Sequence, residues 1–398
     1  MLKNIFILSS LILFACDDAT VSSNDPILSK LYVCDQGSDR VVVLDPATDQ
    51  LDQISAIDIN FTDSEMDMEV PHFITIDESH GYWFVTTVQS GYVGMYDLEQ
   101  DTLISYQYVG DSPALMAVDE DNQNLYISKM MNMGMMMPGG QVSELSVIDY
   151  SEGYLSTASA ISLVDNENIV DFPEPHAISF ASGTSRGLSL VTASFTTDWF
   201  SYMRLDNATV TPTAYSFTEG EQAPIPKNEL FPLDAAQKDN RIFFSCRGSM
   251  DANINGQVRS WSLTSLDRQD ESVYEFEISS FPWHIIESPV LSEVFVVLSG
   301  NEDVPGSAGL ACLSYNDSGE LSLKWQTLDS GFDTLHGVTV SADGSKVYVS
   351  SRGDGSIHIF DAASGSLLNT VDGIGMMMDM GMGMDMDMGS LSGIAITQ

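Results

Sequence analysis

Two stretches at opposite ends of the chain decide the fold. Lys30-Leu31-Tyr32-Val33-Cys34-Asp35-Gln36-Gly37, followed by RVVVLDPATDQ (40–50), returns as Lys346-Val347-Tyr348-Val349-Ser350-Ser351-Arg352-Gly353, followed by SIHIFDAASGS (356–366). Each copy reads as an alternating strand, a polar turn, a second alternating strand ending in Asp, and a turn built on Asp, Ala and Gly. Such a unit is a hairpin meander. Self-similarity at a fixed period over a long chain points to an array of such units and not to one sheet.

Between these copies the same unit begins again near Pro71, Pro113, Pro175, Pro232, Trp283 and Leu335, at spacings of about 40 to 60 residues. The strands YWFVTT, NLYISKM, LSLVTASF, RIFFSC, VFVVLS and KVYVSS belong to these six units. A lone strand, GIAITQ, ends the sequence and fits the first strand of a unit whose remaining strands begin at Lys30. The pattern resembles the YVTN-type repeat of β-propellers, although Tyr32-Val33-Cys34-Asp35 and Tyr348-Val349-Ser350-Ser351 depart from it at the third and fourth positions. The resemblance implies an all-β fold: a single propeller of seven blades, each of four antiparallel strands. Pairing of the C-terminal strand with the N-terminal blade would close the ring and remove exposed edges. A fold of this kind says little about chemistry.

The N-terminus reads as a leader. Met1-Leu2-Lys3-Asn4 precedes an apolar run from Ile5 to Ala15, too short to span a bilayer, that stops at Cys16. Leu13-Phe14-Ala15-Cys16 resembles the lipobox of bacterial lipoproteins, which implies a signal peptide over 1–15, lipidation of Cys16, a tether over 16–27 and a propeller over 28–398. Localisation follows as the cell envelope, lipid-anchored and facing the periplasm or the cell surface. Cys34, Cys246 and Cys312 are then an odd set without close spacing, so no disulfide framework is expected.

Fifteen Lys and Arg against 57 Asp and Glu give a net charge of −42, spread along the chain. That field repels nucleic acid and anionic lipid heads and attracts cations. The membrane is expected to be reached through the lipid alone, and an envelope protein is a further possible partner.

Aligning the first strand of each unit exposes a recurrent histidine. His72, His176, His284 and His336 share one register, where the other units carry Ala114, Leu233 and Ser392. Inner strands of a propeller line its channel, so these imidazoles are expected to gather at one mouth as metal-ligand material. A structural role is the competing reading, each His hydrogen-bonding a neighbouring blade. His80 and His358 fall outside the register and are expected to face solvent.

Fourteen of the 21 methionines lie in two segments interrupted by Gly and Asp. Met130, Met131, Met133, Met135, Met136 and Met137 follow NLYISK, at a turn between second and third strands. Met376, Met377, Met378, Met380, Met382, Met384, Met386 and Met388 precede the closing strand. Met66 and Met68 precede His72. All are expected on the histidine face, with Cys34 and Cys246 as weaker neighbours. Crowded thioethers are soft ligands that suit Cu(I), and the segments resemble those of bacterial copper-resistance proteins. The histidine ring resembles the propeller of nitrous oxide reductase in architecture alone, with four slot histidines where that family uses seven and with no second copper domain. Copper is therefore the expected cofactor, for sequestration, delivery or sensing, with affinity falling below about pH 6 as imidazoles protonate. Two alternatives stand beside it. One is a protein-binding or scaffold propeller with an adaptable methionine surface. The other is a lactonase-like hydrolase using Lys129, Arg247 and Arg352 near second-strand ends, for which no nucleophile with an adjacent base appears and no catalytic residue is assigned.

Overall fold

The computed structural model describes residues 29–62, 68–110, 112–130, 142–164, 172–184, 187–206, 210–221, 224, 227, 229–276, 279–375 and 390–398. They form seven four-stranded antiparallel sheets, each strand paired with its sequence neighbour. Six blades are continuous in sequence. The seventh pairs Leu391–Ile396 with Leu31–Asp35, which in turn pairs with Arg40–Asp45 and Asp52–Asp58. The closure expected from the two chain ends is present, and it joins Leu31 to Ile396 and Tyr32 to Ala395 in register.

Burial explains why each unit reads as it does. Second and third strands such as Trp83–Thr87 and Val93–Tyr96 are buried on both faces because blades pack face to face, so their apolar runs are nearly continuous. Outer strands alternate, as in Asp52–Asp58 and Leu103–Tyr108, because one face meets solvent. Each core cluster joins two blades. Tyr32, Cys34, Val41 and Val43 pack against Ile74, Trp83, Val85 and Tyr96, with the Trp83 and Tyr96 rings stacked 4.1 Å apart. Cys34, Cys246 and Cys312 are free and buried in these clusters, and burial pushes their thiols up.

One device recurs where each inner strand begins. The residue before it is left-handed at Val70, Ser112, Glu174, Phe231, Phe281 and Thr334. A residue just past the second strand donates its N–H to that residue's carbonyl. The pairs are Val88 to Val70, Met130 to Ser112, Phe195 to Glu174, Arg247 to Phe231, Ser299 to Phe281 and Arg352 to Thr334. In the composite blade Gln36 N–H donates to Ser390 O in the same way.

The ladder then slips by a bulge between Pro71 and Phe73, Pro113 and Met116, Pro175 and Ala177, Pro232 and Asp234, Pro282 and Ile285, and Leu335 and Val338. A bulge leaves backbone groups unpaired and re-aims a side chain. Second-strand hydroxyls satisfy those groups: Phe73 N–H donates to Thr86 Oγ1, Leu115 N–H to Ser128 Oγ and Gly337 N–H to Ser350 Oγ. The buried hydroxyl near the end of the second strand is thus part of the repeat because the bulge requires it.

Candidate functional site

The recurrent histidine is the bulged residue. The shared register expected of the four is corrected for one of them: His72, His176 and His336 follow the first residue of their inner strands, whereas Trp283 takes that place after Pro282 and His284 lies one residue further on, level with Phe73, Asp234 and Gly337. All four still sit where their strands leave ladder register, and a bulge re-aims side chains there. All four are buried. His336 is central: its ring centroid lies 4.9 Å from that of His284 and 5.5 Å from that of His72, both edge-on. Trp283 flanks it at 5.6 Å. His176 stands against Phe195, with ring centroids 5.8 Å apart.

Neighbouring blades orient the rings. His284 Nδ1 is 2.9 Å from Asp234 Oδ2, and His176 Nδ1 meets the Leu233 carbonyl. An acceptor at Nδ1 fixes the proton there, which leaves Nε2 with its lone pair. Gln36 Nε2 is 3.1 Å from His72 Nδ1. Turning that amide over would give the otherwise unpartnered Gln36 Oε1 a donor and expose the His72 Nε2 lone pair as well. Among the described residues, His284 Nε2 and His336 Nδ1 are buried without a hydrogen-bond partner.

Three of the rings are held neutral. Burial, and then the charges of the other histidines and Arg352, push His72 and His336 well below the usual imidazole range. Burial pushes His176 down to about 4. Burial thus favours the deprotonated form of His72, His176 and His336 in more acidic solution than an exposed imidazole would keep it.

Below the ring, the inner strands of all seven blades enclose a channel of about 580 Å³. His284 and Asp234 face it at one end, and Glu78, Glu120 and Glu287 line it toward the other. Burial raises the carboxyls of Glu120 and Glu287. Asp234, Gln36 and these glutamates were missed by sequence reasoning, because they become neighbours of the histidines only once blades are stacked.

The remaining expectations divide. Met130 lies in the same repeat position as Arg247 and Arg352, on the histidine face, and packs half-buried against Ala114 and Leu115. Met68 is also described. Met66, Met131 to Met137, Met376 to Met388 and Cys16 fall outside the described residues. His358 does not face solvent as expected. It is 2% exposed, with Ser356 Oγ 3.2 Å from Nε2 and Thr370 Oγ1 3.0 Å from Nδ1, because it lies in a third strand with Phe332 packed over its ring. His80 is exposed. Lys129 is not in register with Arg247 and Arg352; its Nζ pairs with Glu144 at 2.7 Å.

Among the described residues, no three His, Cys, Asp or Glu converge as a metal-ligand set as they stand. Two imidazoles on one tetrahedral metal, with bonds of about 2.0–2.1 Å, have centroids about 5 Å apart, a spacing that the pairs His336–His284 and His336–His72 approach.

Neither a family model nor a curated protein sequence matches the chain. Solved structures do. A periplasmic gluconolactonase from Pseudomonas aeruginosa superposes with a TM-score of 0.62 at 14% identity, covering 93% of this chain and 99% of that one. A functionally unknown protein from Desulfotomaculum acetoxidans gives 0.61 at 14% identity, over 93% and 99%. Hydrazine synthase from Kuenenia stuttgartiensis gives 0.57 at 12% identity, over 79% and 90%. The chain is a seven-bladed β-propeller. At these identities the likeness is one of fold, and the propeller's chemistry has to be argued from its own residues.

Proposed function

We propose that this propeller binds a transition metal, copper foremost, at the ring of His72, His284 and His336, with His176 beside it. The observation that carries this reading is the pair of buried, unpartnered nitrogens, His284 Nε2 and His336 Nδ1, on rings in direct contact. Buried polar atoms ordinarily find partners, and two orphans in one cluster point to a ligand. The His284–Asp234 pair supports it, since metal-bound histidines commonly donate their other nitrogen to a carboxylate that fixes the tautomer. Imidazole suits copper as well as zinc, and the methionine segments supply the soft donors that favour Cu(I). In this reading they capture the ion at the face where Met130 lies, and the ring holds it. Attachment to the envelope through Cys16 belongs to the same proposal.

Titration of the signal-free protein with Cu(I) against a competing chelator tests it. One variant carries H284F and H336F; another lacks 130–137 and 376–388. The ring variant is expected to lose the tight equivalent and the deletion variant the weaker, faster ones. Copper binding unchanged in the ring variant would refute the site.

A hydrolase is the second reading, supported by the gluconolactonase likeness in fold. Neither Ser-His-Asp grouping among the described hydrogen bonds serves it. Ser79 Oγ and Asp77 Oδ2 both approach the same nitrogen, His80 Nδ1, at 2.9 Å, and in the other Asp354 bonds Ser356 while His358 Nδ1 faces Thr370. A relay requires opposite ring nitrogens.

A further inference from the structure

We infer that Arg247 and the phenylalanines around it form a binding site for an organic carboxylate with an apolar body, on the histidine face and independent of any metal. Arg247 follows the second strand of its blade, and its Cζ lies 4.9 Å from the Phe231 ring centroid and 5.1 Å from that of Phe281. Phe231 and Phe281 are the left-handed residues before two adjacent inner strands, so the fold's recurrent device aims both rings at the arginine. Phe195 extends the apolar rim, 5.5 Å from Phe231 and 5.8 Å from His176. Arg247 and all three phenylalanines are partly exposed.

The arginine's backbone is fixed. Gly248 has φ +76°, and a Cβ there would meet Ile254 O at 2.6 Å, while a Cβ on Gly256 would collide with Pro282. This loop cannot carry Arg247 away from its rings without undoing that packing.

What the site lacks is an anion. Lys30, Arg40, Lys129, Arg204, Arg259 and Lys324 each rest on a carboxylate. Among the described residues no carboxylate pairs with Arg247, and its Nε is buried without a partner there. Burial alone moves its pKa, downward, and no neighbouring charge offsets it. A guanidinium stacked by its faces keeps its edge for a planar bidentate acceptor, which a carboxylate is. A hydrated phosphate dianion suits the rim poorly, because three phenyl rings cannot replace its water.

The full chain, free of metal, is titrated with benzoate, benzyl alcohol and inorganic phosphate, followed by calorimetry and ligand-observed NMR. One saturable benzoate site is expected, at least tenfold tighter than either comparator. R247Q should weaken it at least tenfold and R247K several-fold, since an ammonium keeps the charge but not the fork; F231L should weaken it about threefold. Thermal unfolding of each variant checks its fold, and the preference of the parent for benzoate over benzyl alcohol stands without any variant. Benzoate binding unchanged in R247Q and R247K, equal binding of phosphate and benzoate, or no saturable benzoate site would each overturn the inference.

Discussion

His284 Nδ1 reaches Asp234 Oδ2 across the boundary between two blades, at 2.9 Å. The same oxygen accepts the Ile285 N–H at 3.1 Å, and Oδ1 accepts the Ala235 N–H at 2.8 Å. The carboxylate therefore ties a bulged backbone to the ring it orients. Asp234→Ala should cost about 1–3 kcal/mol, the range for stranding buried donors, and weaken copper about 10–100-fold, as loss of an orienting partner does. Asp234→Asn keeps an acceptor oxygen and should lose less of both. Urea unfolding and chelator competition measure the two effects. Copper affinity equal to the parent's in Asp234→Ala would remove His284 from the ligand set.

The neutral histidines make stability depend on pH. An unfolded imidazole titrates near 6.5, whereas folded His176 is held at about 4 and His72 and His336 are held well below the usual range. Between those values the unfolded chain binds more protons, so stability is full above about pH 6.5 and falls as pH drops toward the folded values. For His176 the window is about pH 6.5 to 4, and its loss is on the order of 3 kcal/mol across it. Urea midpoints at pH 7.5, 5.5 and 4.5 should decline, and His336→Leu should flatten the decline. A midpoint constant over that range would mean that the rings are hydrated.

The strand that closes the ring also approaches the inner strand of the neighbouring blade, Pro71–Asp77, closely. A Cβ on Gly393 would lie 2.6 Å from His72 O and 2.7 Å from Phe73 Cα. Gly393→Ala should therefore destabilise by about 1–3 kcal/mol, as overpacking does, and shift His72 along with its copper affinity. Gly331, which is not left-handed and where an added Cβ would meet only the Asp329 side chain, is the control for packing. Thermal unfolding of the two variants separates the cases: a Gly393→Ala protein as stable as the parent would show that the last strand is loosely seated.

The repeat was legible because blade packing is periodic in sequence. Tyr32-Val33 and Tyr348-Val349 announce buried second strands, and the slot of His72, His176 and His336 could be aligned because every inner strand starts alike, whereas His284, one residue past it, was placed there only by starting its strand at Trp283 and not at Pro282. What could not be read is whatever depends on angles between blades. The bulge that turns the slot side chains inward is a register slip with no letter of its own. His358 was expected to face solvent but lies in a third strand roofed by Phe332, at 4.7 Å between ring centroids. Asp234 and Gln36 sit far from their histidines in sequence, and only the stacking of blades makes them partners.

Arg352 supplies the last test, because its charge acts on the ring without depending on any single contact. Its guanidinium lowers both His72 and His336, since a positive neighbour disfavours imidazolium. The same charge opposes a bound cation, so the site gains free lone pairs at acidic pH while losing affinity at neutral pH. Arg352→Gln separates the two effects. Near pH 7.5, where the imidazoles are neutral in either protein, copper should bind several-fold more tightly to the variant. In more acidic solution the advantage should shrink, because the His72 and His336 titrations move upward and protons compete earlier. NMR titration of the imidazole resonances reads the first shift directly, and copper competition at pH 7.5 and 5.5 reads the balance. If the variant binds copper less tightly at pH 7.5, Arg352 is organising the ring through its contacts and not through its field.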